Sequence, residues 1–88
     1  MMTAAHDPHY IELIARLRNA RKAKKLSQKE LGNLLNKPQS FVSKVETCER
    51  RLDVIEAAKW CIALGIDLED ALPPSVKKAL EEAAEKGR

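Results

Sequence analysis

The stretch LSQKELGNLLNKPQSFVSKVE, residues 26–46, decides the fold, because it holds two short amphipathic runs with a proline between them. Ser27 and Glu30 have the spacing of a capping box, which predicts that a helix starts directly after Ser27. Pro38 disfavours helical geometry at the residue before it, so this helix has to end near Asn36. Proline also suits the first position of a helix. The stretch is therefore predicted to form two helices joined by a turn of about four residues.

The second of these helices carries an unusual set of polar side chains on its outer face. Val42 and Val45 point inward at helical spacing. The opposite face holds Gln39, Ser40, Ser43 and Lys44. A face that serves only solubility is usually filled with Glu and Lys, which cost little helix propensity. A helix-turn-helix places its second helix in the major groove of DNA, where Gln pairs with adenine, Lys with guanine, and Ser with either. These side chains therefore predict a DNA-reading helix over residues 39–46.

The rest of the chain also follows a helical period, and it lacks the alternating runs of β-branched residues that would indicate strands. Its predicted helices run from Tyr10 to Lys25, from Asp53 to Leu64, and, as a short turn, around Leu68 and Leu72. We therefore predict an all-α fold, a compact five-helix domain over residues 10–72. The predicted flanks are a flexible N-terminus over residues 1–9 and a C-terminal helix or tail over residues 73–88.

One arginine interrupts the apolar face of the first helix. Arg21 lies four residues after Leu17, so it is on the inner side of that helix. Glu46 lies four residues after Val42 and is therefore beside the inward-facing valines. A charge on an inner face needs a partner of opposite sign. We predict a structural ion pair between Arg21 and Glu46.

Positive charge is concentrated in one segment of the chain. The whole chain has a net charge of +3, whereas residues 16–51 hold eleven Lys or Arg and three acidic residues, a net charge of +8. Neutralising phosphates with Lys and Arg supplies most of the non-specific affinity for nucleic acids, so this asymmetry suits a polyanion-binding surface. Charge alone is equally compatible with an ordinary solvated helix face.

Several classes of protein do not fit the sequence. No stretch approaches the ~18 consecutive apolar residues of a membrane span, and the N-terminus lacks the pattern of a signal peptide, so we expect a cytoplasmic protein. His6 and His9 are three residues apart beside Asp7, but no further ligand cluster accompanies them in the N-terminus, and we expect no metal site. The chain shows neither a nucleophile with its base nor a Gly-rich phosphate loop. We therefore expect no enzymatic activity and no cofactor.

Residues 26–72 resemble the DNA-binding domain of the Cro and phage-repressor family, also called the xenobiotic response element (XRE) type, with its lambda-repressor-like fold. The resemblance rests on Leu26-Ser27-Gln28, Glu30-Leu31, Leu35, the run SFVSKVE and the run ALGIDL at residues 63–68. It implies base reading by Gln39, Ser40 and Lys44, with Ser43 on a base or a phosphate. The family's inner ion pair matches Arg21 and Glu46. The predicted phosphate contacts are Gln28, Asn36, Lys37, Arg50 and Arg51.

The chain departs from the family pattern after the reading helix. Cys48 stands where the family usually has a glycine, and a cysteine in a left-handed cap is strained. Either the loop has another shape, or Cys48 has a role of its own, such as redox sensing. Leu52 replaces the loop proline of the family. Phe41 has two open interpretations, since it either packs on the preceding helix or touches a thymine methyl.

The resulting expectation is a sequence-specific regulator of transcription, a repressor that binds double-stranded DNA as a homodimer on a palindromic operator. The dimer interface is expected in the Leu64 to Leu72 region or on the Ser75 to Lys86 helix. An alternative is an antitoxin or accessory interaction protein, in which residues 75–88 bind a protein partner and the DNA binding is autoregulatory. A third possibility is an architectural or RNA-binding role driven by charge alone.

Overall fold

A computed structural model describes residues 7–86, in which six helices follow one another and no strand occurs. They are α1 (Pro8–Ala23), α2 (Gln28–Leu35), α3 (Gln39–Glu46), α4 (Val54–Leu64), α5 (Leu68–Ala71) and α6 (Pro74–Lys86). The predicted all-α fold class is confirmed. Helices α1–α5 correspond to the predicted five-helix domain, and α6 is the C-terminal helix. Of the predicted flexible N-terminus, residues 1–6 lie outside the described residues, whereas Pro8 and His9 already belong to α1.

Capping side chains set where the helices start. The Ser27 hydroxyl accepts a hydrogen bond from the Glu30 backbone N–H at 3.0 Å, and Glu30 Oε1 accepts from the Ser27 N–H at 2.9 Å. The bond from the Ser27 N–H also holds the pKa of Glu30 below its ordinary value. Asp53 and Glu56 form a second capping box at the start of α4. Helix α3 has the predicted bounds, residues 39–46. Pro38 directly precedes it as the N-cap, with extended backbone, and is not its first helical residue.

The turn between α2 and α3 is closed by a tight backbone contact. Asn36 adopts the left-handed conformation with φ 58°, and the Lys37 N–H donates to the Gly32 carbonyl oxygen at 2.8 Å. Gly32 is buried in α2, and a Cβ atom built on it would lie 2.7 Å from the Lys37 carbonyl oxygen. A side chain at this position would push the turn outward, and the direction of α3 would change with it.

The core lies between the first four helices. Trp60 of α4 is 1% exposed and packs among apolar residues of α1, α2 and α3. The largest fully buried side chains of the described chain, besides Trp60, are Ile14, Leu17, Leu31, Leu64, Val42, Val45 and Pro73. Helix α6 differs from the others, since each of its side chains that the structure describes is exposed except the half-buried Val76 and Lys77.

The loop after α3 contains a residue in the left-handed conformation, and this residue is Cys48. Cys48 has φ 61°, and its N–H donates to the Val45 carbonyl oxygen at 3.0 Å. Further along, the Leu52 N–H donates to the buried Tyr10 hydroxyl at 2.9 Å, which ties the loop to α1. Burial raises the pKa of this tyrosine. Of the two alternatives for this loop, another shape is therefore wrong, because backbone hydrogen bonds from Cys48 and Glu49 close the left-handed turn. A role of its own for Cys48 stays a hypothesis.

We predict that Gly32→Ala lowers the free energy of unfolding by about 1–3 kcal/mol, because the added methyl group overlaps the Lys37 backbone carbonyl and the turn has to shift outward to relieve the overlap. Urea denaturation followed by circular dichroism measures the change. Asn33→Ala is the matched control, since Asn33 is the exposed neighbour in the same helix, and its effect should stay within about 0.5 kcal/mol. Equal stability of the Gly32→Ala variant and the wild type would contradict the tight contact.

Candidate nucleic-acid interface

Helix α3 presents the predicted base-reading residues on its outward face. It packs most extensively against α2 and buries Val42 and Val45. The side chains of Gln39, Ser40 and Lys44 are exposed, whereas Ser43 is half-buried. The start of the helix, which enters the groove in a helix-turn-helix, thus carries exposed polar groups that match base edges.

A buried ion pair fixes the opposite, inner side of α3. Arg21 Nε donates to Glu46 Oε2 at 2.6 Å, and a terminal guanidinium nitrogen donates to Glu46 Oε1 at 3.0 Å. The other terminal nitrogen donates to the Leu26 carbonyl oxygen at 2.7 Å. The side chains of Arg21 and Glu46 are 9% and 2% exposed. The structure thus brings together the two charges that the helical period placed on inner faces.

Gln28 is also joined to this carboxylate. The half-buried Gln28 is the first residue of α2, and its Nε2 donates to Glu46 Oε1 at 3.0 Å. One amide hydrogen of the predicted phosphate anchor is therefore used inside the protein, and the second remains for another acceptor. Arg18 lies on the outer side of the same group, with its Nε 3.9 Å from Glu46 Oε1 and its side chain 53% exposed.

Two of the predicted phosphate contacts lie against the ring of Phe41. Lys37 Nζ is 5.5 Å from the ring centroid, and the guanidinium carbon of Arg50 is 4.8 Å from it. The half-buried ring packs on Trp60 with the two centroids 6.4 Å apart. Of the two interpretations of Phe41, the structure therefore agrees with packing against the core, although the ring leans on Trp60 of α4. Cation–π contacts of this length hold both cations beside α3.

The predicted phosphate contacts in the turn and in the loop after α3 differ in how many bonds they make within the protein. Asn36 is exposed at the turn. Arg50 is engaged, because it donates to Glu56 Oε2 at 3.1 Å and to the Arg51 carbonyl oxygen at 2.7 Å. The Arg51 guanidinium lies 5.2 Å from the centroid of the Tyr10 ring, and its side chain is exposed. Arg51 is therefore the arginine of this loop whose charge no carboxylate neutralises within the described residues.

Sequence reasoning missed two surface features. Arg18 lies three residues before Arg21, a spacing that places the two on neighbouring faces of α1, but nothing in the pattern distinguishes it from other exposed arginines. Leu34 of α2 and Ile62 of α4 are 60% and 80% exposed and line one shallow groove together with Ala63. Their exposure depends on how two helices pack, which the helical period alone does not give.

The described residues contain no group of three metal-ligating side chains. Within the same residues, no helix is both long and apolar enough to cross a membrane. Burial raises the pKa of the Cys61 thiol.

Comparisons with known proteins identify the family. A family model described as helix-turn-helix matches residues 17–70. Among solved structures, an XRE-family like protein from Pseudomonas syringae pv. tomato str. DC3000 is 47% identical and covers 75% of this chain and 80% of its own, with a TM-score of 0.71. The restriction-modification controller protein C.AhdI from Aeromonas hydrophila is 32% identical and covers 72% of this chain and 96% of its own, with a TM-score of 0.66.

The clp gene regulator ClgR from C. glutamicum is 27% identical and covers 74% of this chain and 86% of its own, with a TM-score of 0.67. No curated protein matches the chain. The family model covers more than half of the chain, including the whole α2-turn-α3 unit. The chain therefore belongs to the helix-turn-helix family of the Cro and phage-repressor, or XRE, type.

Proposed function

We propose that the protein is a sequence-specific, double-stranded-DNA-binding regulator of transcription that reads the major groove with α3. The observation that carries this proposal is the division of α3 into two sides. Its inner side is locked by the buried pair of Arg21 and Glu46, and its outer side presents Gln39, Ser40 and Lys44 to solvent. A rigid helix with exposed groups that pair with adenine and guanine edges is what direct readout requires.

The backbone of the DNA would be held by groups on both sides of α3. Asn36 and Lys37 precede the helix in the turn, Arg50 and Arg51 follow it in the loop, and Gln28 starts α2. Phosphate contacts of this kind fix the register of the reading helix on the duplex. Arg50 would contribute less than Arg51, because Glu56 already neutralises part of its charge.

We further propose that the protein acts in the cytoplasm as a homodimer and as a repressor. A two-fold dimer presents two reading helices to half-sites about 34 Å apart, and its symmetry matches a palindrome. A protein that covers such a site hinders other proteins from binding there. The regulatory proteins among the related structures, C.AhdI and ClgR, support a role in control of gene expression.

Selection of bound duplexes from a random DNA pool tests the proposed function. We expect a palindromic consensus that is bound at least ~10³-fold more tightly than a scrambled duplex of the same length. Titrations at several salt concentrations separate specific from electrostatic binding. Equal and steeply salt-dependent binding to both duplexes would contradict the proposal and would favour an architectural or RNA-binding role.

Single substitutions on α3 should identify the base readers. Gln39→Ala and Lys44→Ala are each expected to lose about 1–3 kcal/mol of binding free energy on the selected duplex and to relax the preference at one base-pair position only. Lys78→Ala, which removes an exposed charge from α6, is the control and should leave the preference unchanged. Repeating the selection with each variant measures the effect. Uniform weakening across all sequences would show that these side chains do not read bases.

A second candidate function is an antitoxin or accessory subunit that binds a protein partner. The exposed Leu34 and Ile62, which line one groove, favour it, because contiguous apolar surface commonly marks protein interfaces. Helix α6 leaves most of its described side chains exposed and so available to a partner. Residues 75–88 are the proposed partner-binding segment. This function is compatible with DNA binding, since such a subunit can regulate its own gene.

Deletion of residues 75–88 distinguishes the two roles. We expect the truncated protein to fold and to retain affinity for an isolated half-site, because α6 buries few of its side chains. Fluorescence titration with a half-site duplex measures this affinity, and copurification from source cells measures partner binding. A protein that copurifies with the full chain and is lost on truncation would establish the second function. Loss of half-site binding by a folded truncated protein would contradict our assignment of DNA recognition to α1–α5.

A further inference from the structure

The carboxylate of Glu46 carries more donors than a simple ion pair needs. Its Oε1 atom accepts from Arg21 at 3.0 Å and from Gln28 Nε2 at 3.0 Å, and Arg18 Nε lies 3.9 Å away. The side chain of Glu46 is only 2% exposed, so these groups surround it on the protein side. One buried oxygen therefore holds residues from α1 and α2 at fixed distances from the end of α3.

The cluster of Arg18, Arg21 and Glu46 has a net positive charge. Two guanidinium groups, Arg18 and Arg21, share the single negative charge of Glu46. Arg21 makes the two short bonds to the carboxylate, and its side chain is 9% exposed. Glu46 therefore neutralises mainly the charge of Arg21. Arg18 is 53% exposed and has no short bond to the carboxylate. The surplus positive charge is thus at the surface, on Arg18.

The contact of Arg18 with Glu46 at 3.9 Å contributes little to stability, because water screens the half-exposed guanidinium. The position of Arg18 has another consequence, because the same Oε1 atom also holds the amide of Gln28. The Arg18 guanidinium and the second amide hydrogen of Gln28 are thereby held close to each other at the start of α2. Both are donors to phosphate oxygens, and the guanidinium adds the charge that the amide lacks.

We propose that Arg18 is a further phosphate-binding residue, and that Glu46 is a positioning residue that directs Arg18 and Gln28 toward the same DNA phosphate. This inference rests on the proposed DNA-binding function. Glu46 touches no phosphate itself, because its carboxylate is buried and negatively charged. Its part is to restrict the Gln28 side chain to the rotamer that leaves one amide hydrogen facing outward.

Salt dependence of DNA binding tests the part assigned to Arg18. The probes are the duplex selected by the full-length wild-type chain and an unrelated duplex of equal length. Each phosphate contact changes the slope of log affinity against log salt by about 0.9, so Arg18→Gln should make the slope shallower by about that amount on both duplexes. Affinity at fixed salt should fall roughly tenfold on both. Arg18→Lys should retain the wild-type slope, because lysine also binds phosphate.

Arg16→Gln is the matched control. Arg16 is an exposed arginine of the same helix, and its guanidinium donates to the carbonyl oxygen of Asp70 in α5 at 3.1 Å, away from Glu46. This variant should leave the slope unchanged. An unchanged slope in Arg18→Gln, or an equal change in Arg16→Gln, would overturn the assignment. If the wild type itself prefers no duplex, the proposed function fails instead, so the two failures are distinguishable.

A double-mutant cycle tests the positioning role of Glu46. Glu46→Gln and Gln28→Leu should each weaken DNA binding, and the double variant should lose less than the sum of the two losses. Additive losses in folded variants would overturn the role. Because Glu46→Gln disturbs a buried charge and can unfold the protein, a measurement on the free wild type is added. The side-chain amide of Gln28 should be rigid by ¹⁵N relaxation, and a freely rotating amide would overturn the role independently of any variant.

Discussion

The bidentate bond between Arg21 and the buried carboxylate of Glu46 is the interaction on which the rest of the structure depends. Both charges have lost most of their hydration, so removing one partner would leave the other uncompensated, at a cost of about 3–5 kcal/mol. The third nitrogen of the guanidinium donates to the carbonyl oxygen of Leu26, the residue before the N-cap of α2. A single arginine therefore fixes the end of α3 and the start of α2 relative to α1.

This constraint separates a rigid frame from an adaptable surface. The frame consists of the ion pair, the capping boxes and the turn in which the Lys37 carbonyl oxygen touches Gly32. The surface consists of polar side chains that make few bonds within the protein. Sequence specificity can change by substitution at Gln39, Ser40 or Lys44 without disturbing the frame, because these exposed side chains are outside the core. Phe41 belongs to both parts, since its ring packs on Trp60 and also holds Lys37 and Arg50.

The sequence alone predicts the features that depend on neighbouring residues or on a buried charge. The Ser27 capping box and the left-handed Asn36 follow from neighbouring residues, and the partner of Arg21 followed because a charge on an inner face requires one. Surface contacts could not be predicted in this way, because an exposed arginine such as Arg18 has several possible partners of similar energy. The base and phosphate contacts themselves stay predictions. Local preference argues against a left-handed Cys48, and the backbone hydrogen bonds that close its turn outweigh that preference.

An apolar cluster in place of the ion pair would satisfy the need for burial, and such replacements are often neutral or stabilising. It would not direct any polar side chain, because dispersion contacts are not directional. A carboxylate oxygen accepts directional hydrogen bonds, and Glu46 Oε1 accepts one from the Gln28 amide. The buried charge is therefore better explained by orientation than by stability. The carboxylate that fixes α3 through Arg21 thus also holds, through a second bond, a polar group at the proposed DNA surface.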